Sequence, residues 1–249
     1  MRNLKITLAY DGTDFAGWQV QPDRPTIQGI LADAIERIAM ERVLPQGSGR
    51  TDAGVHALAQ VASCQINATI PAPNLVIALN DLLPRSIRVN AVEEMAPDFH
   101  ARKSASAKTY RYRIYRGDIC PPFRARYVYH HPYPLDEGAM TAAAGQVVGE
   151  HDFTSFAAVD PEKGKPAGPN TRTLFSSEFR REVDELMYEV RGSGFLHHMV
   201  RNLVGTFLLV GKGTLAPDDL PRIVDARNRS ANPGATAPAS GLCLVSVEY

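Results

Sequence analysis

Residues 109–115 read TYRYRIY. Tyr110, Tyr112 and Ile114 alternate with Arg111, Arg113 and Tyr115, the period of two that marks a β-strand. Working outward, Leu4, Ile6, Leu8 and Tyr10 repeat the same alternation near the start of the chain. A turn at Asp11-Gly12-Thr13 ends that strand, and Thr26 has the chemistry of a helix N-cap. After it, Ile27, Ile30, Leu31, Ala34, Ile35 and Ile38 form one apolar stripe of an amphipathic helix running to about Arg42. Further strands are predicted over 60–66 and 87–92, with a helix over 74–83 that stops before Pro84. The same texture follows TYRYRIY: a helix over 135–148, a hairpin from strands 174–180 and 186–191, a mostly apolar helix over 196–210, a helix over 218–227 and a closing strand over 241–249. This mixture predicts an α+β fold of two similar halves, with mostly antiparallel sheets flanked by helices. The halves are expected to run 1–103 and 104–249, the boundary lying near 98–106.

The chain has 249 residues, 44% of them hydrophobic and 22% charged, which excludes a disordered or coiled-coil protein. MRNLKITLAY reads as a strand, not a signal peptide. The longest apolar run, 195–210, is interrupted by His197, His198 and Arg201, and its unbroken part is too short for a bilayer. A soluble, cytoplasmic protein without membrane attachment is expected. Cys64, Cys120 and Cys243 lie far apart and form no CxxC pair, so they read as small buried hydrophobes. Two Pro- and Gly-rich stretches, 161–170 and 231–240, read as mobile. The first has the composition of a lid, a binding loop or a plain surface loop.

Lys plus Arg balances Asp plus Glu at 27 each, but the distribution is uneven. Between His100 and His130 stand Arg102, Lys103, Lys108, Arg111, Arg113, Arg116, Arg124 and Arg126 against the single acid Asp118, a net charge of +7. Phosphate binding requires a local field rather than a global one. A solvated basic face would have the same composition.

Residues 48–57, SGRTDAGVHA, place one carboxylate, Asp52, two residues after Arg50 among Gly49, Ala53 and Gly54. A carboxylate can attack a glycosidic carbon or a conjugated base ring. Small neighbours let a substrate approach the backbone. A type I turn with Asp52 bonded to its own backbone fits the same residues, and local chemistry leaves both readings open. Tyr110, flanked by Lys108 and Arg111, is placed either to stack a base or to fill the core. Arg201, in an apolar helix, needs an anion: a structural acid, a catalytic Asp or a phosphate. His197 and His198, taken as neighbours on a helix, point about 100° apart and would not chelate together. Gly47-Ser48-Gly49-Arg50 matches no nucleotide loop. Neither a metal nor a cofactor is expected.

Taken together, GRTDAGVHA (49–57), YDGTDFAGWQVQ (10–21), TIQGIL (26–31), DFHARKSASAKTYRYRIY (98–115), GEHDFTSF (149–156), FLHHMVRNLVGTFLLVGKG (195–213) and TAPASGLCLVSVEY (236–249) resemble the tRNA pseudouridine synthase A family in order and through nearly the whole chain. The 161–170 loop departs from it, lacking the Cys and Trp often seen there. The resemblance implies the pseudouridine synthase fold around a basic central cleft. It also implies isomerisation of uridine to pseudouridine at tRNA positions 38, 39 and 40, in the anticodon stem-loop. It implies no cofactor, no metal and a homodimer. Carried over by position, the catalytic aspartate falls on Asp52, the active-site tyrosine on Tyr110, the arginine that helps the base leave its stack on Arg50, and the basic partner of the Asp on Arg201. A catalytically silent RNA-binding protein, a synthase aimed at other RNA sites and an enzyme for a small nucleoside are the rival readings. An anion in an RNA cleft would not help a pure binder. A +7 segment would not help a nucleoside enzyme.

Overall fold

The structure is a computed structural model and describes residues 1–158 and 170–249. Residues 161–169 of the Pro- and Gly-rich stretch expected to be mobile therefore lie outside the described residues. Two compact units emerge: one of 1–106 joined by 243–249, the other of 107–242. The last strand thus returns to the first unit, whereas the halves expected from sequence assign the whole tail to the second.

In the first unit, strand β1 (Arg2–Tyr10) is followed by helix α1 (Ile27–Ala39), the short β2 (Gln46–Gly47), β3 (His56–Ile66), helix α2 (Ala72–Leu82) and β4 (Ile87–Met95). β1 pairs antiparallel with both β3 and β4. β10 (Leu242–Glu248) joins β3 in parallel, Cys243 opposite His56 and Leu244 opposite Ala57. The alternation read in β1 has its physical cause in the pleat: Leu4, Ile6, Leu8 and Tyr10 are all buried. Leu4 and Ile6 meet Ile35 of α1, Leu75 and Leu79 of α2 and Val92 of β4 around one small internal void. Each such side chain contributes on the order of 1.5–3 kcal/mol of transfer free energy.

Thr26 caps α1 as its sequence suggests, Oγ1 accepting the Gly29 N–H at 3.3 Å. The helix stops short of Arg42. Met40 turns left-handed at φ 56°, its own N–H bonded to the Glu36 carbonyl, and leaves an 87% exposed side chain. Burial also corrects the cysteine reading. Cys64 is buried, and burial pushes its thiol up to about 12. Cys120 and Cys243 are only half-buried, and none of the three is in a disulfide.

The second unit contains β5 (Ala107–Tyr115), helix α3 (Pro122–Ala125), β6 (Tyr129–His130), helix α4 (Glu137–Gly145), β7 (Gly149–Asp152), β8 (Thr171–Glu182), β9 (Glu185–Gly192), helix α5 (Met199–Gly211) and helix α6 (Asp219–Asp225). Its strands run antiparallel in the order β5-β9-β8-β7, with β6 added in parallel to β5. The expected hairpin is β8–β9, closed by Val183 and Asp184 between paired Glu182 and Glu185. Tyr188, Phe179 and Phe207 form an aromatic cluster with ring centroids 4.9–5.6 Å apart. The Tyr188 phenol is satisfied by Ser177 Oγ at 2.9 Å. Tyr112 donates its hydroxyl to the Pro238 carbonyl at 2.8 Å.

The 231–240 stretch, whose composition suggested a mobile loop, is hydrogen-bonded to α5 and to Arg229. The Thr206 hydroxyl meets both the Asn202 carbonyl and Asn232 Oδ1 at 2.8 Å, and Thr236 donates to Asn202 Oδ1 at 2.7 Å. Arg229 clamps the carbonyls of Asn232 and Gly234. No helix among the described residues is long and apolar enough to cross a membrane.

Removing the α1 cap should destabilise this packing measurably. Thr26→Ala is expected to lower unfolding free energy by about 1 kcal/mol, and Thr26→Ser to restore most of it. Urea denaturation followed by circular dichroism checks both.

Candidate active site

Asp52 stands on a turn whose closing bond is main chain. The Val55 N–H donates to the Asp52 carbonyl at 3.1 Å. Gly54 takes φ 79°, the sign that a type II turn requires at its third residue. The turn read as type I therefore has the type II sign at Gly54, and it is closed through the main chain. Asp52 is half-buried and Arg50 is exposed, on the same short loop.

The loop is set by what lies behind it. Trp18 is 2% exposed, and its N–H donates to the Thr51 carbonyl at 3.0 Å. Gly17 takes φ 93°, and a Cβ there would sit 2.6 Å from the Thr51 oxygen. Only glycine allows that approach without strain. Gly54 N–H donates to the Phe15 carbonyl at 3.3 Å, so both flanks of Asp52 are tied to the 15–18 segment. Beneath them Tyr10, Ser48, Thr51 and Gln60 are all buried and hydrogen-bonded to one another. No role had been read for these four. The available signal was a glutamine in mid-strand, two residues from buried Ala62.

In the second unit Tyr110 is buried, 7% exposed, on the apolar face of β5, its ring edge-on to Phe195 at 5.0 Å between centroids. Arg201 is half-buried in α5, where Leu209 alone shares that partial exposure. Its Nε donates to the Ala237 carbonyl at 2.7 Å, and the Ala237 N–H returns a bond to the Arg201 carbonyl at 3.2 Å. A peptide oxygen therefore takes part of the role expected of an anion. Burial pushes the nearby Tyr112 phenol upward, partly offset by the Arg201 charge.

The two histidines are not on the helix. His197 lies in the turn before α5, and His198 is its N-cap at φ 61°. The left-handed residue breaks the helical phase. The ring centroids lie 4.0 Å apart with the planes tilted by 40°, so the side chains do not diverge by 100°.

The structure also revises the basic segment. Arg111 stands directly opposite Glu189 on β9, and its Nε and Nη2 donate to the carboxylate at 3.0 and 2.8 Å. Arg113 holds both oxygens of buried Glu185 at 2.7 Å. Arg116 pairs with Glu137 at 3.3 Å, and Arg124 lies 3.7 Å from Glu185. Four of the eight cations thus have carboxylate partners from outside the segment, and the +7 overstates the field a phosphate would meet.

With this geometry in hand, comparison with known proteins is informative. The family described as tRNA pseudouridine synthase matches residues 6–102 and 143–249. A tRNA pseudouridine synthase A from Solibacter usitatus is 53% identical over 249 residues, covering 100% of both chains. That of Limosilactobacillus fermentum is 46% identical, covering 100% of this chain and 96% of its own. That of Moorella thermoacetica is 46% identical, covering 99% of each. The α+β fold of mainly antiparallel strands is that of a pseudouridine synthase, and the chain is an isomerase of this class. It belongs to the tRNA pseudouridine synthase family.

Two tests follow from the loop and the ion pairs. Gly17→Ala is expected to lower unfolding free energy by about 1–3 kcal/mol, read by urea denaturation. The double variant Arg111→Gln/Glu189→Gln deletes a self-contained pair at constant net charge. The dependence of tRNA affinity on salt is expected to match that of the wild type; a shallower slope would mean that Arg111 contacts phosphate.

Proposed function

We propose that this enzyme isomerises uridine to pseudouridine at positions 38, 39 and 40 of the tRNA anticodon stem-loop, with Asp52 as the nucleophile. The observation that carries the reading is the Asp52 loop itself. A half-buried carboxylate stands on a main-chain turn with an exposed cation, Arg50, two residues away and glycines on either side. The reaction breaks the bond between uracil N1 and ribose C1′ and forms one from C5 to C1′. The C5 proton leaves and N1 gains one, so no atom is added or lost. A nucleophile at C1′ or at uracil C6 satisfies that chemistry. It needs no external oxidant or reductant.

The target uridine is inaccessible inside a stacked stem, and extruding it costs a few kcal/mol. Arg50, exposed beside Asp52, is assigned to that extrusion. Tyr110, whose ring is already held by Phe195, is assigned to the face of the base. Arg201, its Nε tied to a peptide carbonyl and its side chain half-buried, is assigned to substrate binding. These roles rest on the resemblance of the motifs that contain these residues and on the chemistry of the side chains. No metal or cofactor is invoked in any step.

The decisive experiment maps pseudouridine at nucleotide resolution on an unmodified tRNA transcript. Wild type is expected to modify 38 to 40. Asp52→Asn is expected to lose turnover while keeping tRNA affinity within about twofold, since an amide preserves shape but not nucleophilicity. Turnover by Asp52→Asn at the wild-type rate would remove the nucleophile assignment. Arg50→Ala is expected to slow modification more in a paired stem than in an unpaired loop, and equal losses would remove the extrusion role.

A further inference from the structure

The segment before Asp52 hangs from two buried side chains that neither the family match nor the sequence reading assigns to the reaction. Gln60 and Ser48 are each 0% exposed, Tyr10 is 4% and Thr51 6%. A buried amide must satisfy two acceptor positions and two N–H donors, and Gln60 satisfies all four. Its Oε1 accepts from Ser48 Oγ at 2.7 Å and from the Val61 N–H at 3.2 Å. Its Nε2 donates to the Gly49 carbonyl at 3.1 Å and to Tyr10 Oη at 3.4 Å. An amide nitrogen only donates, so the Tyr10 oxygen accepts there. The phenolic hydrogen is then directed to Thr51 Oγ1, 2.9 Å away. Burial pushes the Tyr10 phenol far above its ordinary range, so it keeps that proton at any working pH.

The result is a directed chain from Ser48 through Gln60 and Tyr10 to Thr51, with both ends and the Gly49 carbonyl on the four residues preceding Asp52. That segment is not part of a long strand ladder. Its remaining main-chain ties include Ser48 N–H to the Val61 carbonyl at 2.7 Å and Trp18 N–H to the Thr51 carbonyl. We propose that Tyr10 and Gln60 are positioning residues for the isomerisation, fixing the backbone on which Asp52 stands. The proposal rests on Asp52 being the nucleophile. Displacing a reacting group by about 1 Å costs about a hundredfold in rate without weakening substrate binding. The chain therefore acts on kcat and not on affinity.

The test uses Tyr10→Phe, Thr51→Val, their combination and Thr51→Ser, all in the full chain. It reads kcat, KM and tRNA affinity for pseudouridine formation beside the thermal midpoint. Tyr10→Phe and Thr51→Val are each expected to lower kcat about ten- to a hundredfold, with KM and affinity unchanged. The combination is expected to lose no more than Tyr10→Phe alone, because both variants remove the Tyr10–Thr51 hydrogen bond and Tyr10→Phe removes the one from Gln60 besides. Thr51→Ser keeps the hydroxyl and is expected to keep kcat. Wild-type kcat in the single variants, additive losses in the pair, or losses that follow the folded fraction or tRNA affinity would overturn the proposal. If Tyr10→Phe does not fold, the contrast of Thr51→Val with Thr51→Ser decides by the same readout. Asp52→Asn runs alongside. Full turnover there would overturn the nucleophile reading and this proposal together. Loss there with wild-type kcat in Tyr10→Phe would overturn the positioning role alone.

Discussion

The close approach of two loop backbones, Gly17 against Thr51, is the constraint on which the first unit's site depends. A hydrogen bond from Trp18 to Thr51 holds the two segments together, and the missing Cβ at Gly17 permits it. With that contact made, the residues on either side of Asp52 have fixed partners: Thr51 below Trp18 and Gly54 against Phe15. The turn then closes through its own main chain. Here the carbonyl of Asp52 does the building.

Charge in the second unit is distributed by strand register. Along β5 Arg111 and Arg113 stand on the face opposite Tyr110, Tyr112 and Ile114, and β9 brings Glu189 and Glu185 to meet them. Fork-shaped guanidinium pairing of this kind orients both partners and satisfies the buried Glu185 carboxylate. It also subtracts Arg111 and Arg113 from the charge available to a polyanion. Electrostatic attraction for tRNA must then draw on cations elsewhere, such as the exposed Arg102 and Lys103 in the first unit.

Helix α5 illustrates a different economy. It is buried around most of its girth, yet it includes Asn202 and Thr206, both 0% exposed. Each is satisfied by the 231–240 stretch or by the Phe156 carbonyl. A Pro-rich segment with few apolar side chains is therefore ordered by polar bonds rather than by hydrophobic burial. Arg201 lies on the same helix and exchanges bonds with Ala237, so the stretch also orients an assigned site residue.

Period-two and period-3.6 patterns were sufficient to place β1, α1 and β5, because a half-buried element must repeat its apolar face at its own geometric period. Asp52 and Arg50 stood out as candidates because close backbone approach demands small residues at short spacing, and their proposed roles come from the family resemblance of GRTDAGVHA. What the sequence by itself did not contain was partner identity. Whether Arg111 meets a phosphate or Glu189 depends on strand register across nearly eighty residues of chain. The ring geometry of His197 and His198 depends on one left-handed backbone angle. The order of 231–240 depends on amides and hydroxyls donated by a helix that precedes it by some thirty residues. Local pattern determined the elements and the candidate side chains. The tertiary structure decided which charges are neutralised and what holds the Asp52 loop, because hydrogen bonds and ion pairs act over about 3 Å in space, whatever the separation along the chain.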